Sequence, residues 1–343
     1  MKRVRVGING FGRIGRMVFR AFSSEYPERF EVVAINDLAS PEMNAHLLKH
    51  DSNYGPFPGK VELDGNVLSV NDRQIKLYRT AEISKLPWKE KRVDLVIEAT
   101  GVHTKDSKAK EHLTGGAMRV IISAPSKDAD ATLVLGVNHD TYDPEKHFVV
   151  SNASCTTNSL APVAKVLNEE FGIEYGSMTT IHSYTGEQRL LDAVHPKGDF
   201  RRARGAAQNI IPTKTGAAKA IGEVIPALDG KIHGIAVRVP MPTVSLTDLV
   251  VVTKKIVTVE AVLKAFRDWG KRWDGDGFKI LRIEREPLVS SDYVGEEYST
   301  VVDEQNVAVV GDKLLKVMAW YDNEWAYSQR VADLAAYMVK KGI

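Results

Sequence analysis

The sequence predicts an α/β protein of two domains, an N-terminal doubly wound sheet followed by an α+β domain with a mostly antiparallel sheet. Short β-branched runs alternate with helical patterns in the first half, which is typical of parallel strands joined by helices. Longer stretches that alternate apolar and polar residues come later and are typical of antiparallel strands with one covered face. A length of 343 residues suits two domains that each bury a core.

The chain opens with a predicted strand, a tight turn and a helix. Apolar residues alternate up to Val6 and Ile8, glycines interrupt them, and apolar residues then recur with helical spacing at Ile14, Val18 and Phe22. Further buried strands are predicted at five apolar runs: "FEVVAIND", "VDLVIEATG", "RVIISAP", "TLVLGVN" and "FVVSNAS". Each run ends in small or polar residues, so we expect a ligand site at the carboxyl ends of these strands.

The pattern changes near the single cysteine. "LAPVAKVLNEEFG" predicts an amphipathic helix that stops at Gly172, a typical C′ position. The antiparallel strands are predicted within "GSMTTIHSYT", "KIHGIAVRVPMPTVSLTDLVVVTKK" and "LLKVMAWYDNEWAYS", before a last helix at "QRVADLAAYMVKKG". We therefore assign residues 1–154 to a first domain, completed by the C-terminal helix at about 328–343, and residues 155–327 to a second.

Composition excludes several classes of protein. The formal net charge is only +2, with basic and acidic residues interspersed, so nucleic acid is not expected as a primary partner. One cysteine cannot form an internal disulfide, and the N-terminus runs directly into polar, glycine-rich sequence rather than an apolar signal segment. No apolar run approaches the roughly 18 residues that a membrane helix needs. We expect a cytoplasmic protein with no membrane partner.

The stretch "NGFGRIG" predicts a dinucleotide site. It places Gly10, Gly12 and Gly15 between a strand and a helix, where they permit the turn, the approach of a pyrophosphate and close helix packing. Asp37 ends the second strand, where a carboxylate can accept hydrogen bonds from ribose hydroxyls. A purely structural glycine turn is the alternative. Together these features predict a Rossmann domain in the N-terminal half.

The stretch "SNASCTTNS" contains Cys155. A lone cysteine is by default a small buried hydrophobe. This one directly precedes a predicted helix, whose N–H groups and dipole are expected to stabilise a thiolate and lower its pKa. His182 lies on the following strand, and we expect it to reach Cys155 and act as a base. A structural role for His182 is the alternative, since the chain has nine histidines.

Five motifs together resemble the phosphorylating glyceraldehyde-3-phosphate dehydrogenase family from the first strand to the last helix: "INGFGRIGR", "SNASCTTN", "RRARGAAQNIIPTKTGAAKA", "VRVPMPTVSLTDL" and "WYDNEWAYS". The resemblance implies an enzyme of glycolysis and gluconeogenesis that oxidises glyceraldehyde 3-phosphate to an acyl phosphate with NAD and inorganic phosphate. It also implies a homotetramer without a metal, with Cys155 as the nucleophile and His182 as the base.

The resemblance further implies two phosphate sites and a set of cofactor contacts. Inorganic phosphate is expected at Ser154, Thr156, Thr215 and Gly216. The substrate phosphate is expected at Thr185 and Arg238, with Arg201 or Arg202 of the basic stretch "DFRRARG" as a further candidate and Arg202 preferred. Besides the glycines and Asp37, the expected cofactor contacts are Arg13, Ile14, Arg79, Thr100, Ser123, Asn323 and Tyr327.

Two other functions fit parts of the sequence. An erythrose-4-phosphate dehydrogenase would share the catalytic pair, and a non-enzymatic Rossmann protein would bind RNA through its cofactor cleft and the "RRAR" stretch.

The sequence specifies the choice between NAD and NADP less strongly. Asp37 favours NAD. Ala193 and Val194 replace a Leu-Pro pair that is common in the family, in a loop that the resemblance associates with NADP use. We expect the uncompensated charge of Asp37 to dominate and NAD to be preferred.

Overall fold

The computed structural model describes residues 3–343. These residues form two compact units. The first contains the chain up to Leu133 together with His139–Ala153 and Ser328–Ile343, and the second contains Val134–Asn138 and Ser154–Tyr327. Each unit has its own sheet, and the predicted α/β class with two sheets is confirmed.

The first unit is built on a nine-stranded sheet of order β3-β4-β5-β2-β1-β6-β7-β9-β8. The strands are β1 (Val4–Asn9), β2 (Phe30–Asn36), β3 (Val61–Asp64), β4 (Val67–Val70), β5 (Arg73–Tyr78), β6 (Leu95–Glu98), β7 (Arg119–Ile122), β8 (Ala131–Thr132) and β9 (Val149–Ser151). Strands β3, β4 and β5 pair antiparallel, and every other pair is parallel. The carboxyl ends of β1, β2 and β6 therefore lie side by side, as the apolar runs predict.

The helices of the first unit cover this sheet because apolar faces in their sequences are buried. They are α1 (Arg13–Glu25), α2 (Pro41–Lys49) and α3 (Glu111–Thr114). Met17, Val18 and Phe22 on α1 are each no more than 3% exposed. Helix α2 begins where Ser40 accepts a hydrogen bond from the backbone N–H of Met43, a normal N-cap arrangement.

The second unit contains an eight-stranded, mostly antiparallel sheet of order β11-β12-β10-β13-β17-β15-β14, with β16 paired to β17. Its strands are β10 (Ile173–Ser183), β11 (Ile211–Lys214), β12 (Ile232–Val239), β13 (Ser245–Thr253), β14 (Leu281–Glu284), β15 (Thr300–Asp303), β16 (Ala308–Val310) and β17 (Leu314–Tyr321). Its helices are α4 (Cys155–Phe171), α5 (Ala217–Val224) and α6 (Val259–Gly275), and the last helix of the chain is α7 (Trp325–Lys341). Helix α4 packs on α5, α6 and the sheet, and it ends at Gly172, whose φ is 71°.

Two parts of the sequence interpretation need correction. The run "TLVLGVN" was expected to be a strand, but β8 stops at Thr132 because the chain turns: the N–H groups of Val137 and Asn138 both donate to the carbonyl of Val134. The sequence patterns assigned no element to residues 41–78 or 256–290, where the structure has α2, β3 to β5, α6 and β14. Short strands at a sheet edge carry a weak periodic signal, which explains part of this difference.

Helix α7 is tied to the first unit through polar and aromatic contacts. The hydroxyl of Tyr26 donates to Asp333 over 2.5 Å, and the ring of Tyr337 lies 4.9 Å from that of His139. Most of α7 belongs to this unit. Among residues 3–343, no helix combines the length and the apolar character needed to cross a membrane.

Candidate active site

The three glycines of the first turn have three different local environments. Gly10 has a φ of +91°, and a Cβ there would lie 2.6 Å from the backbone N of Thr100. A Cβ at Gly15 would lie 2.0 Å from the carbonyl of Gly10, so only glycine lets α1 pack this closely on the turn. A Cβ at Gly12 would meet no atom within 4 Å. The turn and the helix packing therefore require glycine at two positions, and the third leaves open space at the start of α1, as expected for a pyrophosphate.

A cavity of about 460 Å³ opens at the carboxyl ends of β1, β2 and β6. Asp37 lies in its wall, and its carboxylate accepts hydrogen bonds from the N–H of Phe11 (2.7 Å) and of Ala39 (2.8 Å). Arg79 lies next to it, donating to the carbonyl of Leu38 over 2.7 Å. The remaining lining residues are mostly polar or small: Asn9, Gly10, Gly12, Asn36, Leu38, Thr80, Ala81, Ala99, Thr100, Val102 and His103. A fixed carboxylate beside a glycine turn fits an adenosine ribose.

The other cofactor candidates of the first unit lie near the same strand ends. Arg13 and Ile14 are the first two residues of α1, where helical N–H groups lack partners within the helix and attract anions. The guanidinium of Arg13 pairs with the buried carboxylate of Asp51. Thr100 follows β6, and Ser123 follows β7 with its backbone and hydroxyl both donating to the carbonyl of Glu98.

Cys155 is the first residue of α4. Ser154 caps the helix by accepting a hydrogen bond from the N–H of Thr157 over 3.1 Å. Ala153 has a φ of +56°, a left-handed conformation that costs a non-glycine residue about 1–2 kcal/mol. Strain of this kind, next to a helix start that favours anions, is a frequent property of catalytic sites.

The sheet of the second unit brings His182 to this thiol. The Sγ atom of Cys155 lies 3.5 Å from Nε2 of His182, near the end of β10. The other ring nitrogen, Nδ1, lies 2.7 Å from the carbonyl of Ser183, which only accepts, and 3.0 Å from Nη1 of Arg238, which only donates, so these two contacts favour opposite tautomers. The tautomer favoured by the carbonyl, with the proton on Nδ1, leaves the lone pair of Nε2 facing the thiol, which is the arrangement that a base requires.

Arg238 is directly opposite His182 because the two residues are paired in the parallel register of β10 and β12. Its Nη1 atom lies 3.0 Å from Nδ1 of His182 and donates to the carbonyl of Ser183 over 2.8 Å. Burial and this neighbouring positive charge together lower the pKa of His182 to about 3. The imidazole is thus neutral at physiological pH and available to accept a proton.

The expectation of a lowered thiol pKa needs correction. Burial has the largest effect on the pKa of Cys155 and raises it, although the residue is partly exposed. The charge of Arg238 and the hydrogen bonds from Thr156 act to lower this pKa, and of these only the backbone N–H groups at the helix start were predicted. The sequence cannot show how much of the thiol is covered. With a raised thiol pKa, formation of the thiolate depends on proton transfer to His182.

A cluster of charged groups adjoins His182. Arg238 donates to the hydroxyl of Thr185 over 3.5 Å, and its Nη2 lies 3.5 Å from Glu187, which also accepts from Arg202 over 2.8 Å. Arg202 further donates to the hydroxyl of Thr213 over 2.9 Å. Two guanidinium groups and a hydroxyl form a suitable pocket for a phosphate dianion, and Glu187 supplies the counter-charge in its absence.

The remaining anion candidates lie at two helix starts. Ser154 and Thr156 belong to the first turn of α4, while Thr215 and Gly216 precede α5 and Thr215 accepts from the N–H of Ala217 over 3.2 Å. Tyr321 anchors the first of these: its hydroxyl lies 2.9 Å from that of Thr156 and 2.8 Å from that of Thr180 on β10. The Tyr321 hydroxyl therefore links α4, which begins at Cys155, to β10, which carries His182.

Asn323 has a fixed orientation. Its Oδ1 accepts hydrogen bonds from the hydroxyls of Ser183 and Ser245, both over 2.9 Å, so its amide NH₂ points away from them. Tyr327 is buried, and burial together with the charge of Cys155 raises its pKa well above the ordinary value. Neither residue has a contact here that tests a cofactor role.

Several residues of this site carry no signal in the sequence analysis. Glu187, Ser183 and Tyr321 were not predicted, although each lies within four residues of a predicted site residue. Their positions in the chain do not predict their contacts, because these contacts depend on the register of the sheet. Within residues 3–343, no group of three or more histidine, cysteine, aspartate or glutamate side chains is arranged to hold a metal ion.

Comparisons with known proteins match both halves of the chain. Residues 4–106 match the family model described as "Glyceraldehyde 3-phosphate dehydrogenase, NAD binding domain", and residues 154–323 match "Glyceraldehyde 3-phosphate dehydrogenase, C-terminal domain". Glyceraldehyde-3-phosphate dehydrogenase 1 of Bacillus subtilis (strain 168) is 52% identical over 340 residues, covering 99% of each chain. The Geobacillus stearothermophilus enzyme is 53% identical with the same coverage. Glyceraldehyde-3-phosphate dehydrogenase 2 of Trichormus variabilis is 51% identical over 341 residues, covering 99% of this chain and 100% of the other.

Proposed function

The chain belongs to the glyceraldehyde-3-phosphate dehydrogenase family, and from that premise we propose that it oxidises glyceraldehyde 3-phosphate to 1,3-bisphosphoglycerate with Cys155 as nucleophile and His182 as base. It is an NAD-dependent oxidoreductase of this family. The observation that carries the residue assignment is the 3.5 Å approach of Cys155 Sγ to Nε2 of His182.

The reaction begins with addition of the Cys155 sulfur to the aldehyde carbon. As the C–S bond forms, the thiol proton passes to Nε2 of His182, which donates it to the carbonyl oxygen to give a hemithioacetal and return to the neutral form. His182 then accepts the hydroxyl proton while the carbon loses a hydride, which leaves a thioester. NAD supplies the hydride acceptor when it is bound. Attack of inorganic phosphate on the thioester carbon breaks the C–S bond, releases the acyl phosphate and returns the sulfur as a thiolate.

Residues of this chain are suited to hold both phosphates. We assign the substrate phosphate to Thr185, Arg202 and Arg238, because Arg238 contacts both His182 and Thr185 and shares Glu187 with Arg202. We assign inorganic phosphate to the helix starts with Ser154, Thr156, Thr215 and Gly216. Hydroxyls and backbone N–H groups at helix starts are normal donors to phosphate, which supports this assignment.

The cofactor cavity of the first unit is suited to NAD. Gly12 leaves open space at the start of α1, and the fixed carboxylate of Asp37 is placed to accept from ribose hydroxyls. We assign Arg13 and Ile14 to the pyrophosphate, and Arg79 and Thr100 to the adenosine side. By resemblance, Ser123, Asn323 and Tyr327 are the proposed contacts near the nicotinamide.

We also propose a cytoplasmic homotetramer. The loop between β10 and β11 exposes large apolar side chains, which a subunit interface would cover. Their exposed fractions are 75% for Leu190, 67% for Leu191, 87% for Val194, 90% for Phe200 and 70% for Ile210. Light scattering of the purified protein tests this state, and a monomer at micromolar concentration would refute it.

Initial rates of NADH formation test the proposed substrate. Glyceraldehyde 3-phosphate and erythrose 4-phosphate should be compared at equal concentration, with NAD and inorganic phosphate saturating. We expect a higher kcat/KM for the triose phosphate. A preference for erythrose 4-phosphate would overturn the substrate assignment, and no thiol-dependent NADH formation from either would favour a non-enzymatic protein.

A further inference from the structure

A buried hydrogen-bond network lies beneath the cofactor cavity. At one end, the backbone of Thr80 determines which groups of the network donate and which accept. The backbone N–H of Thr80 donates to Oδ1 of Asn36 over 2.8 Å, and Nδ2 of Asn36 donates to the carbonyl of Thr80 over 2.9 Å. A backbone N–H only donates and a carbonyl only accepts, so the amide of Asn36 has a single possible orientation. The same Nδ2 donates to Oδ1 of Asn9 over 2.7 Å, which leaves Nδ2 of Asn9 to donate to Oε2 of Glu98 over 2.6 Å.

The other end of the network is fixed by an indole. The Nε1–H of Trp88 donates to Nδ1 of His112 over 2.9 Å, and an indole N–H cannot accept. His112 therefore carries its proton on Nε2, which donates to Oε2 of Glu98 over 2.9 Å. Trp88, His112 and Glu98 are each no more than 1% exposed, so water does not offer an alternative partner.

Glu98 is the point on which the donors converge. Besides Asn9 and His112, the backbone N–H and the hydroxyl of Thr100 donate to its Oε1 over 2.8 and 2.5 Å. Burial acts to raise the pKa of Glu98, but the hydrogen bonds from His112, Thr100 and Asn9 outweigh it and keep the pKa below its usual value. Only an ionised carboxylate accepts all four of these bonds.

We propose that Glu98 is a positioning residue for the NAD cavity, because it holds two segments of the cavity wall in one arrangement. Asn9 at the end of β1 and Thr100 after β6 both line the cavity, and Glu98 bonds to both. Thr100 is also the residue against which the left-handed Gly10 packs. The network therefore joins the glycine turn, β2 and the loop after β6. This inference rests on NAD binding at this cavity, as in the proposed function.

The substitution Glu98→Gln separates the polarity of the network from its shape. Glutamine has the same volume, but in one orientation its NH₂ faces the donors of Asn9 and His112, and in the other it faces those of Thr100. Asn36 and Trp88 prevent either neighbour from reversing. A buried, unsatisfied donor costs about 1–3 kcal/mol, so rearrangement of the cavity wall should weaken NAD binding by about tenfold or more.

Calorimetric titration of NAD into the whole protein tests the proposal without using catalysis. The variants are Glu98→Gln, the charge-preserving Glu98→Asp, and Leu68→Ala, which removes buried apolar volume from β4 away from the network. We expect Kd to rise about tenfold or more in Glu98→Gln and less in Glu98→Asp, and to stay unchanged in Leu68→Ala although its Tm falls. At saturating NAD, kcat should stay within about threefold of wild type in the glutamate variants, because Cys155 and His182 are not part of the network.

Three outcomes would overturn the proposal. The first is a Kd for Glu98→Gln within twofold of wild type, and the second is equal weakening in Leu68→Ala, which would indicate a general effect of stability. The third outcome is used if Glu98→Gln does not fold, and it is a Kd for NAD in Glu98→Asp equal to that of wild type. Failure of the wild-type protein to bind NAD would overturn the cofactor part of the proposed function as well, whereas equal binding by wild type and Glu98→Gln overturns this inference alone.

Discussion

The Sγ atom of Cys155 lies 3.5 Å from Nε2 of His182, although 27 positions separate the two residues in the chain. The contact exists because α4 begins at Cys155 and packs on the sheet in which β10 carries His182. Burial raises the pKa of the thiol and lowers that of the imidazole to about 3, so neither group titrates at its ordinary pH. In the proposed mechanism, proton transfer between them makes the sulfur nucleophilic.

Replacing the base should therefore move the reactivity of the thiol to higher pH. In His182→Asn, Cys155 has no proton acceptor at Nε2, and its ionisation is governed by burial, which raises the pKa. We expect alkylation by iodoacetamide at pH 7 to slow by about tenfold or more. Rates measured from pH 5 to 10 check this, with His233→Asn, an exposed histidine on β12, as the control. Superimposable pH profiles for wild type and His182→Asn would show that the pair does not exchange a proton.

Removing the guanidinium of Arg238 should affect phosphorylated substrate selectively. Arg238 contacts Thr185, His182 and Glu187 in the proposed substrate-phosphate pocket. A lost charge-assisted hydrogen bond is worth about 1.5–3 kcal/mol, so KM for glyceraldehyde 3-phosphate should rise by about 10- to 100-fold in Arg238→Ala.

The comparison substrate for that variant is unphosphorylated glyceraldehyde. Its kcat/KM should fall much less, because it offers no phosphate to the guanidinium. Arg204→Ala is the matched control, since Arg204 is exposed and pairs with Asp192 at the surface. An equal loss on both aldehydes would place the substrate phosphate elsewhere.

The buried partner of Arg13 should give the protein a specific acid sensitivity. The hydrogen bond and charge of Arg13 and the N–H groups of Asn53 and Tyr54 outweigh the effect of burial and lower the pKa of Asp51. A carboxyl with a lowered folded-state pKa stabilises the fold above its unfolded pKa of about 4, and this contribution is lost as the pH falls through the folded value.

We therefore expect Asp51→Asn to lower the free energy of unfolding by about 2 kcal/mol at pH 7, a value reduced for the partial exposure of Arg13. The difference from wild type should narrow below about pH 4. Urea unfolding at several pH values measures this difference in the free energy of unfolding. Glu169→Gln removes one partner of the ion pair with Lys165 on α4 and is the control, with an expected difference near zero. A difference that stays constant down to pH 3 would contradict the assigned pKa shift.

Cofactor preference should depend on Asp37. Its carboxylate is held by the N–H groups of Phe11 and Ala39, and the neighbouring Leu38 is 60% exposed and offers no positive charge to a 2′-phosphate. We expect kcat/KM to favour NAD over NADP by at least about tenfold. Asp37→Gly should lose efficiency with NAD and gain relative use of NADP, while Leu38→Thr should help NADP alone. A wild-type preference for NADP would show that the loop with Ala193 and Val194 outweighs this carboxylate.

Local sequence is sufficient to predict the parts of the site whose geometry is set by neighbours in the chain. The spacing of Gly10, Gly12 and Gly15 is sufficient because the left-handed turn at Gly10 and the packing of Gly15 on the carbonyl of Gly10 are local, although Gly10 also packs against the distant Thr100. The position of Cys155 at a helix start follows from the apolar pattern after it in the same way.

Contacts between distant segments cannot be predicted in this way. Arg238 lies beside His182 through the register of β10 and β12, and Glu98 receives donors from β1, the loop after β6 and α3. The direction of the thiol pKa shift depends on burial by side chains from several elements. A linear pattern contains none of these quantities, so the resemblance to a known family identified site residues that periodicity alone did not.

The most direct test of covalent catalysis at Cys155 is a rapid-mixing measurement of NADH without inorganic phosphate. Enzyme with NAD and excess glyceraldehyde 3-phosphate should form a burst of about one NADH per chain and then stop at the thioester, and added phosphate should restore steady turnover. Cys155→Ser should show no burst and a kcat lower by roughly a thousandfold or more, while still binding NAD. Steady NADH formation at the full rate without phosphate, or a normal burst in Cys155→Ser, would contradict the assignment of Cys155 as the nucleophile.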